Sequence, residues 1–184
     1  MSVNPPLERV GSLTGGLIIL GFSASGLAAQ NQPSRDVLLV AAEEIIEAAR
    51  YCGLVTFDES GNAKVRTMDP FPPDDDWSIW MGTNRGSRKV REIEEDSRVT
   101  LYYYSIDHVG YVAVYGTAHL VDDPVEKASR WKNEWEALYP DRDAQYLLIQ
   151  VIPYRMEVIN YSRVIQGDPV TWEPPSIVFR SGGG

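Results

Sequence analysis

The chain has 184 residues, of which 43% are hydrophobic and 23% are charged. This balance is typical of a folded soluble protein and excludes a disordered tail or a membrane protein with several spans. Acidic residues number 26 against 17 Lys and Arg, and the formal charge of −9 disfavours binding to nucleic-acid phosphates or anionic lipid. The single cysteine, Cys52, excludes an internal disulfide, and the sequence lacks the His and Cys spacing of a zinc site.

The N-terminal segment has the composition of a secretory signal. Residues 11–29 carry no charge, include the apolar run 17–20 and end in small residues before Gln30. We predict a leader over residues 1–28 that is cleaved after Ala28, a single domain over residues 29–184, and export from the cytoplasm. The apolar run is shorter than the roughly 20 residues that a membrane span needs. A Gly/Ser-rich disordered leader on a cytoplasmic protein and an uncleaved anchor are the alternatives.

Helical and strand patterns alternate along the rest of the chain. Apolar residues recur at helical spacing behind Ser34, which can cap a helix that runs to about residue 51. A second helix begins behind Asp123 and carries Trp131 and Trp135 on one face until a proline ends it. Alternating apolar residues predict strands over 54–57, 63–68, 77–83, 99–105, 111–121, 146–152 and 156–161. This order predicts an α+β fold with a mostly antiparallel sheet, closed into a small barrel with flanking helices, and an irregular C-terminal tail.

The most informative stretch lies between residues 83 and 91. Four cations fall within residues 85–91, at the start of a predicted short helix that ends near Asp96. Their placement opposes the helix dipole, because acids are favoured at the N-terminal end of a helix and cations at its C-terminal end. A bound anion would remove this conflict, since the Ser87 hydroxyl, the Lys89 ammonium and the free amides of the first turn are suitable phosphate ligands. A solvated charged helix is the alternative.

Several separate blocks of the sequence resemble the pyridoxamine 5′-phosphate oxidase-like flavoproteins, and among these the general stress protein 26 branch. The blocks lie at residues 49–53, 65–68, 79–83, 87–90, 98–101 and 111–118. The resemblance covers the chain from residue 35 to residue 161. It implies an FMN-binding split β-barrel, normally a homodimer that holds the flavin in the cleft between its subunits.

The resemblance also implies a set of cofactor-binding residues. Those assigned to the isoalloxazine ring are Arg66, Thr67 and Met68, and those assigned to the phosphate are Thr83, Ser87, Arg88 and Lys89. Because strand residues alternate between faces, Arg66 could instead be an ordinary surface residue of the hairpin. The chain lacks the Arg- and His-bearing C-terminal segment of the true oxidases, so we do not expect pyridoxamine phosphate as its substrate.

Three functions remain open on the sequence. The favoured interpretation is an FMN-dependent oxidoreductase that acts on an unknown small molecule and needs no metal. The alternatives are a non-catalytic flavin binder or carrier, and a split barrel that binds haem or a deazaflavin. The proline-rich loop 69–76 and the tail around Trp172 are expected to line the access to the flavin. Their acidic residues favour a neutral or cationic substrate.

Overall fold

The structure, a computed structural model, describes Met1 and residues 33–179. Most of the predicted leader and its cleavage site lie outside the described residues, so cleavage and export stay predictions. The helices are α1 (Arg35–Ala49), α2 (Arg88–Glu95), α3 (Pro124–Ser129) and α4 (Arg142–Gln145). The strands are β1 (Cys52–Phe57), β2 (Ala63–Met68), β3 (Ile79–Asn84), β4 (Arg98–Ser105), β5 (Gly110–Val121), β6 (Tyr146–Asn160) and β7 (Ser176–Val178). Among residues 33–179, no helix is both long and apolar enough to cross a membrane.

The strands form one antiparallel sheet. Its order is β2-β1-β4-β5-β6-β3, and β7 pairs with β6 beside this path. The two ends of the sheet approach each other, because Pro70, which follows β2, forms a bridge with Met81 of β3. This curled sheet with flanking helices is the mostly antiparallel split barrel of the α+β class that the sequence predicts.

Helix α1 covers the inner face of the sheet and completes the core. Its first turn is capped by Ser34, whose Oγ accepts a hydrogen bond from the Val37 amide at 3.4 Å. The apolar positions of α1 follow the helical period, and Leu38 and Ile45 are fully buried against Leu101 and other inner residues of the strands. The core therefore lies between α1 and the inner face, as the amphipathic pattern predicts.

The prediction of a second long helix is wrong. Helix α3 ends at residue 129, and the chain continues through a 3-10 turn, Asn133–Trp135, before α4. The break lets Trp131 pack against Trp135 and Tyr146, with ring centroids 6.2 and 5.2 Å apart respectively. Val125 and Leu138, which the helical stripe would have buried, are exposed. Packing of the aromatic rings thus overrides the helical period.

The last two predicted strands are one continuous strand, β6. Pro153 interrupts the alternating pattern, but it lies opposite Gly116 of β5, beside the register shift between Tyr115 and Gly116. A proline is tolerated at such a bulge because the ladder is already locally disrupted there. The tail, expected to be irregular, adds β7, and Ile177 of this strand is buried in the core.

Candidate functional site

The turn between β3 and α2 brings three of the predicted residues together. The Asn84 side chain accepts a hydrogen bond from the Gly86 amide, and the Asn84 carbonyl accepts one from the Ser87 amide, both at 2.9 Å. These bonds shape the turn so that α2 begins directly after Ser87. Thr83 Oγ1 lies 3.1 Å from Ser87 Oγ and accepts a hydrogen bond from Lys89 Nζ at 3.1 Å. Thr83, Ser87 and Lys89 form one connected group, here called the polar triad.

The polar triad is rich in unused hydrogen-bond donors. Either hydroxyl can donate in the contact between Thr83 and Ser87, so one of the two hydroxyl protons has no acceptor within residues 33–179. Lys89 uses one of its three ammonium protons in this contact. The backbone amides of Arg88 and Lys89 likewise have no acceptor among the described residues. A cation and several free donors at a helix N-terminus fit a phosphate group.

Arg66 and Arg88 belong to a second group, which is built around Glu92. The Glu92 side chain is buried between α2 and β1, and Glu92 is 3% exposed. Arg66 Nη2 donates to Glu92 Oε2 at 2.6 Å, and Arg88 Nε lies 2.8 Å from Glu92 Oε1. The Thr56 hydroxyl donates to Glu92 and accepts from Arg66. Arg66 is therefore held at the sheet by specific contacts, and its side chain is only 17% exposed.

The pKa shifts show how the two groups influence each other. Burial, followed by repulsion from Arg66, lowers the pKa of Lys89, and attraction to Glu92 offsets part of this effect. Burial raises the pKa of Glu92, but hydrogen bonds from Thr56 and Arg66 and the nearby guanidinium charges hold it below its ordinary value. Glu92 is thus ionised at neutral pH. Burial and Arg66 disfavour the charged form of Lys89, and a bound anion would stabilise that form.

The remaining predicted residues, Thr67 and Met68, lie at the end of β2. Thr67 is exposed on the face opposite Arg66, because side chains alternate along the strand. Met68 pairs with Cys52 of β1 and is buried in the core. Of these two, only Thr67 offers its side chain at the surface, so Met68 could meet a ligand mainly through its backbone.

Sequence reasoning missed the part played by Glu92 and Thr56. The i,i+4 spacing of Arg88 and Glu92 suggests an ion pair on the surface of a helix. It gives no sign that the carboxylate is buried, because burial depends on the packing of α2 against β1. Nor does the sequence show that Arg66 reaches Thr56. Arg66 pairs with Leu54 in the register of β1 and β2, and its side chain extends diagonally to Thr56 on the same face of the sheet.

Two cavities lie near these elements. One of about 280 Å³ lies between the β1–β2 turn and α2, and it is lined by Arg88, Arg91 and Glu92 among others. The other, of about 640 Å³, lies between α1 and the proline-rich loop, and none of the seven predicted cofactor residues lines it. Trp172 and Glu173 of the tail, which were expected beside the access, line neither cavity. No residue of the polar triad therefore lines the larger cavity.

Comparison with protein families agrees with the fold. The family model described as "Pyridoxamine 5'-phosphate oxidase like" matches residues 40–161, which is more than half of the chain. The chain belongs to the pyridoxamine 5′-phosphate oxidase-like family. Comparison with curated proteins gives no match.

Solved structures show the same architecture. A protein related to general stress protein 26 from Clostridium acetobutylicum has a TM-score of 0.62 at 20% identity, covering 70% of this chain and 92% of its own. General stress protein 26 from Bacillus anthracis has a TM-score of 0.57 at 25% identity, covering 65% and 92%. A pyridoxamine 5′-phosphate oxidase-related, FMN binding protein from Nostoc punctiforme has a TM-score of 0.54 at 16% identity, covering 81% and 98%. These similarities establish the split-barrel fold and confirm the predicted resemblance.

Proposed function

We propose that the protein is an FMN-binding flavoprotein that acts as an oxidoreductase on a small molecule. The observation that carries this proposal is the polar triad at the start of α2, which combines a half-buried lysine with free hydroxyl and amide donors. A phosphate monoester satisfies such a set better than a neutral ligand does. The FMN-binding protein from Nostoc punctiforme, which shares the fold, supports a flavin as the bearer of that phosphate.

Different residues of this chain would bind the phosphate and the ring of FMN. Lys89, Ser87 and the amides at the start of α2 would hold the phosphate. Arg66, fixed by Glu92 and Thr56, would present a guanidinium beside the segment that the family resemblance places along the flavin ring. Bound FMN supplies electron and hydride transfer, so the protein needs to contribute orientation and exclusion of water rather than a catalytic acid or base.

The outer face of the sheet supports a homodimer. Val65 of β2 and Tyr104 of β4 are 67% and 55% exposed. Tyr102 of β4 is also exposed, and its ring lies 5.5 Å from that of Tyr111 on β5. These side chains lie opposite the face that α1 covers, and monomers rarely leave apolar patches of this kind uncovered. A second copy of the chain on this face would cover it, and the family resemblance implies that the flavin lies between the two subunits.

The test is a titration of the flavin-free protein with FMN and with riboflavin, followed by absorption spectroscopy. The proposal expects tight binding of FMN, weaker binding of riboflavin and an oxidised-flavin spectrum. A haem or deazaflavin spectrum in the protein as purified, or equal affinity for the two flavins, would contradict it. Turnover of quinones, nitro compounds and aldehydes with a nicotinamide donor then separates an oxidoreductase from a carrier. A carrier binds FMN but shows no turnover on any pair.

A further inference from the structure

The 640 Å³ cavity lies between the C-terminal half of α1, the proline-rich loop and the segment around Lys132. Its volume is within the range of about 300–1,000 Å³ that is usual for small-molecule sites. The loop enters the wall of this cavity at Asp69, one residue after β2 ends. The cavity is thus joined covalently to the strand that carries Arg66, although Arg66 does not line it.

The walls of the cavity are fixed by contacts within the fold. The Phe71 amide donates to the Trp80 carbonyl at 2.8 Å, which attaches the loop to β3. Lys132 Nζ lies 2.8 Å from Asp69 Oδ1 and donates to the Pro70 carbonyl at 3.0 Å. Three prolines restrict the backbone of the same loop. A cavity held in this way exists before any ligand arrives.

The cavity has apolar and aromatic walls. Ile46 from α1 and the rings of Phe71 and Trp77 from the loop line it together with the prolines. The Phe71 ring is already occupied by Trp135, in an edge-on contact at 5.7 Å, and by Lys132 Nζ at 4.9 Å. Trp77 is half-buried beside the cavity, and its ring lies 6.4 Å from that of Phe179 in a tilted contact, but no cation lies on the Trp77 ring among the described residues. It is therefore the ring that a cationic ligand could approach.

The charges that line the cavity do not balance. Six carboxylates face two cations, namely Glu43, Glu47, Asp69, Asp74, Asp75 and Glu134 against Arg50 and Lys132. Lys132 neutralises Asp69, and Arg130 outside the cavity neutralises Asp74 at 2.8 Å. The other four lining carboxylates make no ion pair with any residue of 33–179, and of the two lining cations only Arg50 is likewise unpaired among these residues. An excess of three negative charges therefore surrounds an apolar interior.

We infer that this cavity binds an organic cation, meaning a protonated amine or quaternary ammonium group on an apolar or aromatic body. The cation would lie among the unpaired carboxylates, and the body would contact Trp77 and Ile46. A phosphate ester or carboxylate would add negative charge to a cavity that already has an excess of it. The assignment rests on the lining of the cavity and does not depend on the flavin.

The test is calorimetric titration of the full chain with benzyltrimethylammonium, and with benzoate as an anion of similar size. The cation should bind more tightly than the anion. Asp75→Asn should weaken binding of the cation by about two- to fivefold, as expected for one exposed charge contact. Asp107→Asn, the same change in the exposed β4–β5 turn, should leave the affinity unchanged.

Three results would overturn the assignment. The first is that neither probe binds at millimolar concentration, and the second is that benzoate binds as tightly as the cation. The third is that Asp75→Asn and Asp107→Asn lower the affinity equally, since this would reflect net charge rather than the cavity. The titration is run on flavin-free and FMN-treated protein, with flavin binding followed separately by absorption. A failure of flavin binding is therefore visible on its own and leaves the cation result to be judged independently.

Discussion

The guanidinium of Arg66 on β2 lies 2.6 Å from the buried carboxylate of Glu92 on α2. The pair joins an edge strand of the sheet to the helix whose first turn carries the polar triad. Thr56 of β1 contacts both partners, so three elements meet at one carboxylate. The position of α2, and with it that of Ser87 and Lys89, depends on this contact.

Glu92→Gln should destabilise the protein by about 1–3 kcal/mol, the range for a charged hydrogen bond or a buried polar group left without its partner. Glutamine keeps the size of the side chain and can still contact Thr56, but it leaves the Arg66 guanidinium without a counter-charge. The measurement is urea unfolding at neutral pH. Glu94→Gln is the control, since Glu94 is exposed on the same helix, and its effect should stay within about 0.5 kcal/mol. Equal losses in the two variants would contradict the structural importance of the pair.

The same pair predicts how stability depends on pH. The pKa of Glu92 is lowered in the folded protein, so its contribution is fully present above the ordinary value of 4.5 and is lost as the pH falls through the folded value. The difference in unfolding free energy between the wild type and Glu92→Gln should be constant near neutral pH and shrink below 4.5. Urea unfolding across this pH series measures it. A difference that grows as the pH falls would contradict the lowered pKa of Glu92 in the folded protein.

The sequence predicts the sheet and the start of α2 well, because both depend on local patterns. Alternating apolar residues and the run of charged residues that follows β3 are visible without tertiary information. The break after α3 is not visible in this way, because it arises from packing of Trp131 against Tyr146, which lies in a different element, β6. Glu92 shows the same limit at the candidate site, since its burial is set by the contact of α2 with β1.

Gly82 of β3 marks a point where the aromatic cluster packs directly against the backbone. A Cβ at this position would lie 2.6 Å from the Trp135 ring and 2.7 Å from the Tyr146 ring. Gly82→Ala should therefore destabilise the fold by about 1–3 kcal/mol, the usual cost of overpacking a core. Gly86→Ala is the control, because the nearest atom to its added Cβ is 3.5 Å away. Thermal or urea unfolding compares the two, and a neutral Gly82→Ala would show that the cluster can shift.

Tyr104→Arg tests the proposed dimer face. A charge within an apolar interface is costly to bury, so this variant should shift the protein toward monomer in sedimentation at micromolar concentration. FMN affinity should fall with it, because the cleft would lose its second wall. Val125→Arg is the matched change at an exposed apolar position on α3 and should alter neither property. A wild type that is monomeric and still binds FMN would contradict the dimer.

Lys89→Ala is the most direct test of whether the polar triad holds the phosphate of FMN. This variant should weaken FMN binding by about 1.5–3 kcal/mol, as for a hydrogen bond to a charged group, and leave riboflavin binding nearly unchanged. Arg91→Ala removes a charge from the exposed side of the same helix and should weaken both ligands little. Fluorescence titration of the flavin-free wild type and both variants with FMN and with riboflavin gives the six affinities. Equal losses of FMN and riboflavin in Lys89→Ala would contradict the assignment of this group to the phosphate.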